Sequence, residues 1–156
     1  MAEVINYRPE DDAFFRWAIS LRELPGRLLD QIQGRVTQPR ASFGMDNFTL
    51  LEQQDYQELA FGLAGQFWKA DYGQAPLSDA EAFLAFCEPA SARLLLSFRA
   101  QKLDNSHTRL TTETRIFCQD PQAKRKFTPY WYLIRPVSGL IRQRMLRTIS
   151  QRARAG

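Results

Sequence analysis

One histidine, His107, and two cysteines, Cys87 and Cys118, are all the soft or imidazole ligands the chain has. A transition-metal site needs three or four such ligands in close spacing, so neither a metal centre nor a cofactor is expected. The two cysteines form no CxxC pair and read as reduced, buried thiols of a cytoplasmic protein. No apolar run approaches the roughly 20 residues that span a bilayer, so no transmembrane segment is expected. The opening MAEVINYRPEDD has neither the basic start nor the apolar core of a signal peptide. Phosphate loops, dinucleotide fingerprints and the G-x-S-x-G elbow are all missing. No two carboxylates stand at a spacing that sets them on one face, so acid–base chemistry has no visible location.

Acidic residues are also missing from one whole region. From Pro121 to Gly156 there are nine lysines and arginines and no Asp or Glu; of the chain's net +4, this stretch carries +9 and the rest −5. Cations suit the C-terminal end of a helix dipole and can lie against an acidic body. A nucleic-acid site would need aromatic or polar readers on the cationic face. Here the aromatics of Phe127–Tyr132 lie upstream, on the side expected to be buried. The partner expectation is therefore no specific nucleic acid and at most weak, salt-sensitive attraction to anionic membranes.

What is present describes one domain, residues 1–156, with 44% hydrophobic and 12% aromatic residues. Residues 10–33 carry a helical apolar face (Phe14, Phe15, Trp17, Ala18, Leu21) interrupted at Pro25-Gly26, and Val36–Asp46 reads as loop. From Asn47 the period becomes two. Phe48–Gln53 leads to a turn near Gln54-Asp55, and the run Tyr56–Lys69 then sets Leu59, Phe61, Leu63 and Phe67 against Ala60, Gly62, Ala64 and Gln66. Ser78–Phe86 reads either as a short helix capped by Ser78 with Glu81 at the third position or as an edge strand. Ser91–Leu103 and Thr108–Cys118 alternate cleanly and predict an antiparallel hairpin, with Leu94, Leu96, Phe98, Leu110 and Ile116 inward. The inward row of the second strand also holds Thr112 and Thr114, whose hydroxyls need a neighbouring strand, water or a ligand. On the outward row Glu113 is expected to pair with Arg93 or Arg99.

Asp120-Pro121 is a helix start, with an N-cap followed by proline at the first helical position. Phe127, Trp131, Ile134, Ile141, Met145 and Ile149 then recur at helical spacing, with Trp131 central in the stripe. The first half of this helix is apolar round much of its circumference and is expected to be deeply packed. Pro129 and Pro136 each remove an amide donor, so a kink or break is expected at both.

The closing stretch TRLTTETRIFCQDPQAKRKFTPYWYLIRPVSGLIRQRMLRTI resembles that of uncharacterised bacterial members of the SRPBCC (START-like, polyketide-cyclase-like) superfamily. In these a TETRV strand precedes F..YW..IRP.SGLIRR.ML..I. SLRELPGRLL, DNFTLLE, GQFW and DAEAFLAFCEPASARLLLSFRAQ look similar too, so the likeness covers roughly residues 15–152. It implies an α+β helix-grip fold, a curved antiparallel sheet wrapped around a long C-terminal helix. Such a fold implies a cavity for an apolar or amphipathic small molecule, and the expected lining is Phe61, Leu63, Phe67, Leu96, Phe98, Leu110, Thr112, Thr114, Phe127, Trp131 and Ile134. The alternatives are a cyclase- or aromatase-like enzyme and an interaction module built on the basic helix. The superfamily opens with a strand that this chain has room for only at Val4–Arg8. That stub is expected to supply the edge; otherwise the sheet lacks it, and the grip is expected to be partly open or completed by a partner, such as a second copy in a homodimer.

Overall fold

The computed structural model describes residues 47–55, 57–69 and 73–155. The expected helix over 10–33, the loop over 36–46 and the strand stub Val4–Arg8 lie outside them. The described residues form an α+β arrangement: a curved antiparallel sheet of five strands and one long C-terminal helix. Strands β1 (Thr49–Gln54), β2 (Glu58–Gly65) and β3 (Gln74–Ala75) come first, followed by a short helix α1 (Ala80–Ala85). Strands β4 (Ala92–Lys102) and β5 (Thr108–Cys118) lead into helix α2 (Pro121–Ala155). The sheet order is β1-β2-β4-β5, with β3 paired to the far end of β2.

The long hairpin has the expected register. Leu94 lies opposite Ile116, Leu96 opposite Thr114, Phe98 opposite Thr112 and Ala100 opposite Leu110. This places the apolar row of β4 and the mixed row of β5 on one face, because successive side chains alternate across a strand. Asp104 closes the turn by accepting from the amides of Ser106 and His107, both at 2.8 Å.

Helix α2 lies across that inner face and is held to it at two places. Near its start Phe127 joins Leu63, Phe67 and Ala92 in one buried cluster, with Trp68, Ile116, Cys118, Tyr130 and Trp131 packed around it. Near its end Met145 and Ile149 join Leu59, Leu96 and Phe98, flanked by Phe61, Leu94 and Leu110. Between these clusters, from Tyr132 to Arg144, no side chain is buried. The expectation of a deeply packed first half is therefore corrected. Tyr132, Leu133 and Leu140 are at least half exposed, and Trp131 is only partly covered. The helix also runs unbroken through Pro129 and Pro136. Burial on both sides of the two prolines outweighs the amide bonds they remove, so neither ends the helix.

Two local devices differ in detail from their spelling. In α1 the N-cap is Asp79, whose carboxylate accepts from the amide of Ala82 at 2.8 Å; Ser78 only supports it, donating to Asp79 Oδ2. A six-residue helix is marginal by itself. Arg93 secures it, donating from Nη1 to the carbonyls of Phe83 and Leu84 at 3.1 and 2.7 Å. Its guanidinium lies 5.6 Å from the centre of the Phe83 ring and 4.9 Å from that of Phe117. Arg93 is thus committed to α1, and Glu113 pairs instead with Arg115 on its own strand, at 2.8 Å, while Arg99 pairs with Glu58.

Asp120 performs its expected task and one more. Oδ1 accepts from the amide of Ala123 at 2.7 Å, capping α2, and Oδ2 accepts from the amide of Ala90 at 2.6 Å. Ala90 holds a left-handed φ of 53°, so one carboxylate ties a strained turn to the helix start. These amide donors, Ala123 first, hold the carboxyl below the ordinary aspartate range. Because the folded value is the lower one, the stabilisation is complete above the unfolded value of about 3.9 and fades as pH falls through the folded value. Asp120→Asn retains one acceptor oxygen and loses the charge. It should melt below wild type at pH 7, and the gap should close as thermal unfolding is followed down through pH 4 to pH 2. A gap independent of pH would show that the charge contributes nothing.

Candidate binding cleft

Beside the Phe127 cluster, β5 and the first third of α2 leave a concave space of about 490 Å³, lined by Thr114, Ile116, Phe117, Cys118, Lys124, Phe127, Thr128 and Trp131. Its aromatic wall is ordered by local spacing. Phe127 and Trp131, one turn apart, stack at 5.9 Å with planes 24° apart, and Trp68 meets the edge of Phe127 at 6.2 Å. Offset aromatic contacts of this kind stabilise by more than the area they bury. Such a volume falls within the size range of small-molecule sites.

Of the residues expected to line a cavity, this cleft takes Thr114, Phe127 and Trp131. Leu63 and Phe67 do not line it but pack with Phe127 in the adjacent buried cluster, and Phe61, Leu96, Phe98 and Leu110 belong to the second cluster around Met145 and Ile149. Ile134 is part-exposed in the middle of α2 and joins neither cluster. Thr112 faces inward with a fully buried hydroxyl oxygen that has no hydrogen-bond partner among the described residues. Ile116, Phe117 and Cys118 were not anticipated in the lining, although Ile116 and Cys118 continue the inward row of Thr114, and neither were Lys124 and Thr128. Their positions, three before and one after Phe127, fall on the flanks of the apolar stripe and were the available signal.

The reactive groups near the cleft are quiet. Burial pushes the Cys118 thiol up, against the opposing pull of Lys124, so it is protonated near neutral pH and is a poor nucleophile. Cys87, expected to be buried, is exposed. His107 is solvated in the hairpin turn, with Nδ1 2.9 Å from Asp104, and does not line the cleft. Among the described residues no three His, Cys, Asp or Glu side chains come close enough to hold a metal ion. No helix among them is long and apolar enough to cross a membrane.

A second concavity of about 520 Å³ lies on the opposite face of the sheet, between α1 and the outward rows of β4 and β5. Its charges are largely spent on one another through the Arg99–Glu58 and Arg115–Glu113 pairs. The space between sheet and helix, with its continuous aromatic wall, is the better candidate. Comparisons with family models, curated proteins and solved structures return no match.

Proposed function

We propose that this chain binds an apolar or amphipathic small molecule between its sheet and its C-terminal helix, in a helix-grip arrangement. The observation that carries the reading is the cleft walled by Ile116, Phe127 and Trp131. Among the described residues its lining includes no histidine or carboxylate, and its thiol is held protonated. That composition supports holding a ligand over a cyclase-type reaction, which needs groups able to move protons. The aromatic rings supply contact area at small entropic cost, and the few hydroxyls supply orientation.

An uncharged apolar fluorophore, N-phenyl-1-naphthylamine, tests this without invoking any charge. It should bind saturably with enhanced emission, and Trp131→Ala should weaken it roughly tenfold, the effect of losing one aromatic wall. Native mass spectrometry of freshly purified protein should show a co-purified small molecule. Lack of both saturable fluorescence and any bound mass would end the proposal.

A further inference from the structure

The core-facing stripe of α2 is not apolar throughout. Arg142 lies eleven residues after Trp131, about three turns, and three before Met145. It therefore projects on nearly the same side as Trp131, Met145 and Ile149, and it is part-buried rather than free in solvent. Its Nη1 donates to Thr114 Oγ1 at 3.3 Å, a long and weak bond. No carboxylate lies within ion-pairing distance of it among the described residues. An arginine cannot shed its charge by deprotonation, and a part-buried guanidinium without an anion is costly.

The same place holds a second unsatisfied group. Thr112, two residues before Thr114 on the inward row of β5, has a buried hydroxyl oxygen with no partner among the described residues. Valine would fill that position without an orphan. Thr114 joins the two regions, since it lines the aromatic cleft and also receives the bond from Arg142. Along α2 the sequence is thus an apolar cleft at Phe127 and Trp131, then a polar patch of one cation and two hydroxyls, then the filled core at Met145.

Building on the proposed binding reading, we propose that Arg142, Thr114 and Thr112 anchor the carboxylate of an amphipathic monoanion whose apolar part lies against Phe127 and Trp131. The guanidinium fork matches a carboxylate in two parallel bonds, and threonine hydroxyls can donate to its remaining lone pairs. One cation balances one negative charge, which fits a carboxylate better than a doubly charged phosphate monoester. Lys124 also borders the cleft, but its side chain is exposed and hydrated. It lacks the desolvation that makes a fixed charge selective.

Isothermal titration of decanoate against 1-decanol at pH 8 separates headgroup from tail, because the two share one alkyl chain. Wild type should bind decanoate about tenfold more tightly. Arg142→Gln should remove that preference by weakening decanoate about tenfold, with a much smaller change for 1-decanol, and Arg142→Lys should retain part of it. Thr114→Val, which preserves shape, should reduce the preference in the same direction and serves if Arg142→Gln proves unfolded by circular dichroism. Equal affinity of the two ligands for wild type, or a preference that survives in folded Arg142→Gln or is unaffected in Thr114→Val, would overturn the anchoring site and leave the apolar cleft standing. If neither ligand binds while N-phenyl-1-naphthylamine does, the anchor fails and the apolar cleft stands; if none of the three binds and no co-purified mass is found, the binding reading fails with it.

Discussion

Replacing Phe98 by alanine should lower the free energy of unfolding by about 3–5 kcal/mol, the usual range for deleting a large buried aromatic. Phe98 is 1% exposed and sits where strand and helix meet. It lies between Leu59 on β2 and Thr112 on β5 in the sheet register, and its ring meets Phe61 edge-on at 6.2 Å. Met145 and Ile149 of α2 belong to the same cluster. Truncation therefore opens a void bordered by two strands and a helix, and a rigid sheet cannot close it. Against a typical domain stability of about 5–15 kcal/mol the variant would be marginal at 37 °C. Urea unfolding followed by far-ultraviolet circular dichroism measures the change. A loss under about 1 kcal/mol would mean that α2 does not seat on this face of the sheet.

The hairpin was legible because its signal is local. Period-two alternation over Ser91–Leu103 and Thr108–Cys118, joined by Asp104-Asn105-Ser106, admits one register that buries Leu94, Leu96 and Phe98 together, and that register is observed. The start of α2 was equally readable, since Asp120 and Pro121 act within a few residues of each other. Glu113 was misjudged for a different reason. Its cross-strand neighbour is Ser97, and the choice among nearby arginines depended on Arg93 being engaged by α1, a contact between distant parts of the chain.

The cleft was less readable than the fold. Helical spacing identifies which residues share a side of α2, but not where along its length the helix meets the sheet. Phe127 and Ile149 are buried while Leu133 and Leu140, equally apolar, are half exposed. Residues 98 and 131 looked alike as aromatic positions on inward rows, yet one is core and the other a cleft wall. Arg142 is one of nine cations in the closing stretch, and its charge alone does not say which way it faces. Its phase relative to Trp131 and Met145 was in the sequence, but only the bond to Thr114 shows that the side chain follows that phase.

Gly65→Ala should destabilise the domain by about 2–5 kcal/mol, combining a disallowed backbone conformation with a steric overlap. Gly65 ends β2 with a φ of 140°, a region that residues with a Cβ scarcely occupy. A methyl group there would overlap the carbonyl oxygen of Gly73 and come within 2.9 Å of the Gln74 Cα. Both obstacles are backbone, so no side chain can turn aside. That carbonyl is also the acceptor for the amide of Gln66 at 3.1 Å, and Gln74 pairs with Gly65 itself in the β2–β3 ladder. Relief would have to come from moving β3 or from rotating the chain beyond Gly65. The second route carries Phe67 and Trp68, which pack beneath Phe127 and Trp131, so the damage should reach the cleft. N-phenyl-1-naphthylamine affinity should fall along with stability, whereas Phe98→Ala, in the other cluster, should leave the affinity of the folded fraction unchanged. Thermal unfolding and probe titration of the two variants side by side make the comparison. A Gly65→Ala protein with wild-type stability would show that the end of β2 does not hold this conformation.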